Sequence, residues 1–477
     1  MKFDHDIEAF IKDFVKDLLE NNAAVFAGAG LSKSSGYVEW TELLRDIAEE
    51  LGLEVDKEHD LISLAQYHVN HRGSNAGIAK KVLEEFSHQA EPSSSHEILA
   101  RLPISTFWTT NYDSLLEESL KRAYKITDVK HSVSQLANTR PKRDVVVYKM
   151  HGDVTDPGQA VLSKHQYEQY FHTHAAFITA LSGDLISKTF LFIGFSFTDP
   201  NLDYVLSRLH VTSPVRQHYC FMKKESGSKS DPVEMLAYKI RKQKLRVDDL
   251  KRYRIKALLV EDYADIPNIL KEIEGRYRKK TVFVSGSAEE FGEWERGEAQ
   301  DFVHDLSRQL VSSSMRVVNG FGWGIGSAVI NGALEAVYSS PEKFSEDQLV
   351  IRPFPQFATK NQDLPSLWHE YRHRMMSLAG IAIFLFGNKK GSDGQIINAD
   401  GVKREFDIAI EKGLIPIPVG ATGYMAREIF TLIEKDPAAY YGDTHWIFPL
   451  VREIAAPGLP SQQIVEKLVS IVRQISK

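Results

Sequence analysis

The stretch Val25-Phe26-Ala27-Gly28-Ala29-Gly30-Leu31-Ser32 decides how the first half of this chain is read. Ala23–Phe26 is a short apolar run, suited to a strand buried on both faces. It ends in glycines and then turns helical. A strand that feeds a helix through a glycine turn opens a βαβ unit, and N–H groups at the helix start can hold a diphosphate. A bare Gly-x-Gly also fits a tight turn with no ligand, so the neighbouring segments must carry the argument.

Further apolar runs follow at Ser105–Thr109, Val145–Lys149 and Phe190–Ile193, the last preceded by a helical stretch over Ala175–Ser187. His218–Phe221 reads as a core strand. Short apolar runs separated by helical patterns predict a mostly parallel sheet. Three of the runs end in polar loops: Thr109-Thr110-Asn111-Tyr112-Asp113, Lys149-Met150-His151-Gly152-Asp153, and Gly194-Phe195-Ser196-Phe197-Thr198-Asp199-Pro200-Asn201. In open α/β sheets ligands bind beyond the carboxyl ends of the strands. With the glycine turn, four loops are therefore expected to meet at one crevice.

The chain has 477 residues, more than one core usually supports, so two domains are expected. Residues 223–231 are a polar loop, Val233–Arg254 a charged helix, and Ala257–Val260 with Ile266–Arg276 close the first domain. The basic run after Arg276 places the boundary so that the domains are 1–278 and 279–477. A second sheet is read from Thr281–Val284, Arg316–Val318, Gln348–Ile351, Ala382–Phe386 and Ile415–Val419. The fold class is α/β, with two doubly wound domains, each a mostly parallel sheet flanked by helices. In the second domain Ser285-Gly286-Ser287 and the Gly320–Ser327 loop, with Gly322 and Gly324, read as glycine turns suited to a phosphate-bearing nucleotide. Arg352, Arg372, Arg374 and Lys389 suit phosphates, and Glu405 suits ribose hydroxyls.

Net charge is −6, with 58 basic and 64 acidic residues, which gives no general attraction to nucleic acid. The N-terminal Ile7, Phe10, Ile11, Phe14, Val15, Leu18 and Leu19 fall at helical spacing with acids between them, unlike a signal peptide. No apolar run reaches the ~20 residues that span a bilayer. Cys220, the single cysteine, allows no intrachain disulfide and no four-thiolate zinc site, so a reducing, cytoplasmic setting is expected.

The motifs GAGLS with GYVEW, TTNYD, KMHGD and GFS resemble, in order, those of the sirtuin family across residues 10–270. The resemblance implies that Ala27, Gly28, Ala29, Gly30 and Ser32 line the pyrophosphate and nearby ribose of NAD. It implies that Asn111 and Asp113 surround the nicotinamide ribose, that His151 is the catalytic histidine, and that Gly194 and Ser196 contact the adenosine end. Two features depart from the family's protein deacylases: the zinc cysteines are missing, and Gly36-Tyr37-Val38-Glu39-Trp40 replaces a GIPDFR-like segment. Both argue against an acyl-lysine peptide and leave NAD cleavage with water as acceptor, NAD being substrate and no metal or other cofactor being needed. The alternatives are a deacylase, an ADP-ribosyltransferase, or a catalytically silent nucleotide sensor.

The second half is similar to the SLOG family of Rossmann-like nucleotide-binding domains. The whole order is similar to the NAD hydrolases of Thoeris antiphage defence. That resemblance implies a signal, a cyclic ADP-ribose isomer made by a TIR-domain partner, bound at Ser285, Gly286, Ser287, Gly322, Gly324, Arg372, Lys389 and Glu405. It also implies a homotetramer.

Overall fold

Five consecutive apolar residues, Ala23–Ala27, form the wholly buried strand β1. The computed structural model describes residues 3–212, 216–226, 233–355, 357–359 and 363–476. Beyond β1, the first sheet contains β2 (Thr106–Thr109), β3 (Thr127–Lys130), β4 (Val145–Lys149), β5 (Thr189–Ile193), β6 (His218–Lys223) and β7 (Ile255–Val260). Their order is β3-β4-β2-β1-β5-β6-β7, all parallel. The chain leaves β1 toward β2 and later crosses to β5 on the other side. The connections that leave β1 and β5 therefore run toward opposite edges of the sheet, the switch point beside which such sheets open a crevice.

The helix His5–Leu19 starts at Asp4, whose carboxylate accepts the Ile7 N–H, and buries Ile7, Phe10, Ile11, Phe14, Val15 and Leu18. Leu19, expected on that face, is exposed. Between β1 and β2 the helices Trp40–Leu43, Arg45–Glu50, Leu61–Arg72 and Ala76–Phe86 build a satellite core. Its Tyr37, Leu44, Ile47, Leu64 and Val82 share a cluster with Tyr112, Leu115, Ala160 and Leu162. A layer of helices is thus anchored on the loops that follow β2 and β4. Cys220 is buried in β6, where loss of solvent pushes its thiol up to about 12.

The second sheet contains β8 (Thr281–Ser287), β9 (Arg316–Asn319), β10 (Leu349–Ile351), β11 (Ile381–Phe386) and β14 (Ile415–Pro418). The short antiparallel pair β12 (Asn388–Lys390) and β13 (Ile396–Asn398) lies between β11 and β14 in sequence. The order is β10-β9-β8-β11-β14, again all parallel. One expectation is corrected here. Ser285-Gly286-Ser287 is not a turn but the end of β8, paired with Phe384, Leu385 and Phe386. Gly286 suits a strand at this point because a Cβ would stand 2.5 Å from the Leu385 carbonyl oxygen and 2.8 Å from Ile325.

The chain divides into two compact units, Met1–Glu274 and Gly275–Lys477. The division falls inside the helix Ile266–Arg278, which buries Ile266, Ile269, Leu270 and Ile273 and runs into the basic residues at which the boundary was read. Lys223, expected in a loop, belongs to β6, and residues 227–231 of that expected loop lie outside the described residues. Among the described residues no helix is long and apolar enough to cross a membrane.

Candidate active site

The loops after β1 and β5 touch. Gly28 donates its N–H to the Ile193 carbonyl and Gly30 donates to the Gly194 carbonyl, both at 2.9 Å. A Cβ on Gly28 would lie 2.5 Å from the Gly194 oxygen, and one on Gly194 only 2.1 Å from the Leu31 nitrogen. The space that the missing side chains leave is filled by protein backbone, a reason for these glycines that needs no phosphate. Gly194 also has a φ of +64°, which disfavours any side chain. Gly194→Ala is expected to destabilise the first unit by about 2–4 kcal/mol, from left-handed strain and overpacking together. Urea unfolding of the full chain measures it, and an unchanged midpoint would contradict the close approach.

Asn111 is held by three bonds. Its backbone N–H donates to Thr109 Oγ1 at 2.9 Å, and its side-chain amide donates to Gly28 O at 3.1 Å and to Ser32 Oγ at 2.9 Å. Ser32 Oγ in turn donates a hydrogen bond to Asp113 Oδ2 at 2.8 Å, while Asp113 Oδ1 accepts the Leu115 N–H at 3.0 Å. Burial pushes the Asp113 carboxyl above its ordinary range, against the pull of Lys149 and the hydrogen bond from Ser32. One atom of this network lacks a partner: Asn111 Oδ1, buried and free to accept a hydrogen bond.

His151 stands beside it by register. β2 and β4 are parallel neighbours with Thr109 opposite Lys149. Asn111 and His151 each lie two residues beyond that pair, past strands separated by about 4.8 Å. Backbone bonds from Met150 to Thr109 and from Val154 to Tyr112 keep the two loops side by side. No hydrogen bond joins His151 to the Asn111 network. Its ring is 2% exposed, and burial pushes it below the usual histidine range while the Asp199 carboxylate opposes the shift. Ala27 ends β1, Ala29 opens the short helix Ala29–Lys33, and Ser196 lies apart, exposed and bonded through Oγ to Thr198 at 2.7 Å.

Sequence reasoning missed the support beneath this site. Lys149 is fully buried and donates to the carbonyls of Tyr112 at 3.1 Å and Asp113 at 2.6 Å. Its ammonium also pairs with Glu117 at 3.1 Å and with Asp153. Burial opposes that charge, but Glu117 and Asp153 more than offset it and leave the ammonium above the ordinary lysine range. The available signal was Lys149 and Asp153 flanking a histidine at a strand end. Among the described residues no group of three or more His, Cys, Asp or Glu is placed to hold a metal ion.

In the second unit, Ser285 Oγ donates to Glu405 Oε2 at 2.6 Å, and Arg372 Nε faces Glu405 Oε1 at 3.4 Å. The Arg372 guanidinium lies over the Phe354 ring, 4.9 Å from its centre. Burial pushes the Glu405 carboxyl up, opposed by Ser285 and Arg372. The glycine loop after β9 interlocks with the end of β8: a Cβ on Gly322 would meet Gly286 O, and one on Gly324 (φ +78°) would meet Ala288 O, each at 2.0 Å. Ser287 Oγ donates to the Asn388 carbonyl at 3.0 Å. Ser285, Arg372 and Glu405 are thus brought together, with Gly286, Gly322 and Gly324 against one another. Lys389 instead pairs with Asp400 on the exposed hairpin, and Arg374 pairs with Glu370 along its own helix. Asn388, unread in the sequence, ties the loop after β8 by accepting from Glu289 and Glu290 and donating to the Glu290 carbonyl.

Comparison with known proteins agrees with this two-part layout. Residues 105–247 match the SIR2-like domain family, and residues 265–475 match the Sir2- and TIR-associating SLOG family. The chain is 46% identical over 480 residues to NAD(+) hydrolase ThsA of Bacillus cereus (strain MSX-D12), covering 100% of both chains. It is 44% identical to the protein of that name from Cytobacillus dafuensis, over 98% of this chain and 96% of the other. The namesake from Acinetobacter baumannii (strain 532279) is 45% identical, over 92% of each.

Proposed function

This chain belongs to the ThsA family, and from that premise we propose that it is an NAD(+) hydrolase acting in antiphage defence. Its first unit splits the bond between nicotinamide and ribose with water as acceptor, releasing nicotinamide and ADP-ribose. The observation that carries the reading is the paired placement of Asn111 and His151 beyond adjacent parallel strands, with Asn111 Oδ1 buried and unpartnered.

The pyridinium of NAD leaves as neutral nicotinamide and takes the bonding pair with it, so the leaving group needs no proton. What remains is an oxocarbenium-like centre that must be oriented, kept electrostatically favourable and met by water. Asn111 Oδ1 accepts a hydrogen bond from that water or from the substrate. His151 bonds the ribose hydroxyls and takes the water proton, work suited to a neutral imidazole. Asp113 holds Ser32, and Ser32 holds Asn111; its carboxylate also favours positive charge nearby. The loops around Ala27, Gly28, Ala29, Gly30 and Ser32 take the pyrophosphate side, and Gly194 and Ser196 the adenosine end. No metal or further cofactor has a part, the lone cysteine being unable to supply a zinc module.

The second unit is read as the sensor. A cyclic ADP-ribose isomer, made by a TIR-domain partner, binds around Ser285, Gly286, Ser287, Gly322, Gly324, Arg372, Lys389 and Glu405 and switches cleavage on. The working form is a cytoplasmic homotetramer that binds neither nucleic acid nor membrane. Support comes from the Arg372–Glu405–Ser285 group, a buried cation beside interlocked glycine loops.

Incubation of the full chain with NAD and no protein acceptor tests the activity. Nicotinamide and ADP-ribose released in equal amounts fit a hydrolase, and a requirement for an acyl-lysine or protein acceptor would overturn it. Arg372→Ala is expected to weaken activation by cyclic ADP-ribose isomers about tenfold to a hundredfold, the worth of a charge-assisted hydrogen bond. An activation curve identical to that of the parent would remove Arg372 from the sensor.

A further inference from the structure

Asp199 begins the helix Pro200–Thr212 and divides its carboxylate between two tasks. Oδ1 accepts the Leu202 N–H at 3.0 Å, and its carbonyl accepts the Asp203 N–H at 3.0 Å, so the residue caps the helix. Oδ2 is turned the other way. It lies 3.3 Å from His151 Nε2 and 3.5 Å from the Tyr167 hydroxyl, which is itself 3.5 Å from His151 Nδ1. His151 Nε2 is buried and has no aligned hydrogen bond, so the contact with Asp199 is a close approach that becomes an ion pair when the ring is protonated. The cap fixes the Asp199 backbone, which makes this approach part of the fold.

Among the described residues Asp199 is the only carboxylate at this distance from the ring. Tyr167 meets His151 edge-on at 5.3 Å between ring centres and Tyr170 at 6.2 Å. The Tyr170 hydroxyl is committed to the Met150 carbonyl, and the Tyr112 hydroxyl to the Val161 carbonyl. His174 stacks on the far side of Tyr170 at 4.4 Å. Lys149, two residues back, is spent on Glu117, Asp153 and two carbonyls.

We propose that Asp199 is a positioning residue for His151, setting which ring nitrogen carries the proton and steadying the imidazolium that forms during cleavage. The inference rests on the reading of His151 as the base. A carboxylate only accepts, so the nitrogen that faces it carries hydrogen and Nδ1 is left as the basic atom. When water attacks the ribose carbon, its O–H bond breaks and an N–H bond forms at Nδ1. The resulting positive charge extends to Nε2–H, opposite the Asp199 carboxylate.

The test uses the full chain with Asp199→Asn and Asp199→Ser, since Asn and Ser cap helices as well as Asp does. Nicotinamide release from NAD is followed under single-turnover conditions, enzyme in excess, between about pH 5 and 8, with thermal unfolding as the folding control. Removing the negative charge makes the imidazolium easier to deprotonate, so the acid limb of the rate profile is expected to move to lower pH. The plateau rate is expected to fall about tenfold or more, since a weaker and misdirected base transfers protons less well, while the KM for NAD changes little. A wild-type acid limb and plateau in both variants, with His151→Ala inactive, would overturn the inference and leave the base assignment standing. So would a rate loss with the acid limb unmoved, which is what a capping role alone gives. Full activity in His151→Ala would instead bring down the base assignment, and this inference with it.

Discussion

Asn111→Ala and His151→Ala chains that fold normally are expected to lose NAD cleavage almost completely. For His151 the loss in kcat should be about 10²–10⁴-fold, the usual worth of a positioned general base. For Asn111 a loss of about 10²-fold or more follows from misplacing the water or the ribose by roughly an ångström. The two effects should not multiply, because both residues serve one attack on one carbon. Nicotinamide release, with circular dichroism and thermal unfolding matched to the parent, measures them. The Asn111 change carries its own control, since truncation also releases Gly28 O and Ser32 Oγ. Asn111→Asp keeps the acceptor but loses both donated bonds, and it should also be inactive because the side chain is no longer held. Either alanine variant turning over at the parent rate would remove its residue from the chemistry.

The second large effect is on stability. Lys149→Met leaves Glu117 and Asp153 facing each other in the interior with no cation between them. It also strips the Tyr112 and Asp113 carbonyls of their donor. Breaking a buried charge pair from one side costs about 3–5 kcal/mol. In a unit of this size that lowers the unfolding midpoint by roughly 10 °C. The defect carries a pH signature. Glu117 already titrates above its ordinary value, chiefly through burial and against the pull of Lys149. Without Lys149 its folded pKa rises further above the unfolded value. A group raised in this way favours the folded state while protonated and costs stability as pH climbs through its folded pKa. The variant should therefore lie closest to the parent near pH 4.5, the ordinary glutamate value, and fall behind at neutral pH. Adding Glu117→Gln should recover part of the loss. Equal midpoints for Lys149→Met and the parent at neutral pH would contradict this account.

Which parts of the fold were legible follows from where the apolar residues lie. β1, β4, β5 and β11 are uninterrupted apolar runs, or nearly so, and they were read to within a residue or two. β3 was not read, because Thr127-Asp128-Val129-Lys130 carries one apolar side chain and buries Asp128 and Lys130 against each other. The four helices of the satellite core between β1 and β2 escaped because that core forms only when they meet. The hairpin of β12 and β13 is only three residues deep on each side, and its first strand is polar.

At the site the motifs supplied Ser32, Asn111 and Asp113, which the fold joins through hydrogen bonds, and His151, which it sets alongside. They did not supply Lys149, Asp199 or Tyr167. Asp199, Tyr167 and the Lys149–Glu117 pair act through contacts 16 to 48 positions apart that no local pattern encodes, and only the Lys149–Asp153 pair is local. In the second unit Arg372, Glu405 and Ser285 were read separately as ligand groups, and their mutual engagement became visible only in the folded chain. Lys389 stands away from them, held by Asp400.

Because Arg372 already sits beside a carboxylate within the fold, an anion reaching that guanidinium arrives as a competitor. Its gain is the difference between two counter-ions, which for a bare inorganic phosphate is small. Only a molecule that brings further contacts, sugar hydroxyls or a flat ring among them, recovers enough to displace the resident partner. A sensor built on this group, as proposed above, would discriminate against bare inorganic anions and in favour of a larger ligand.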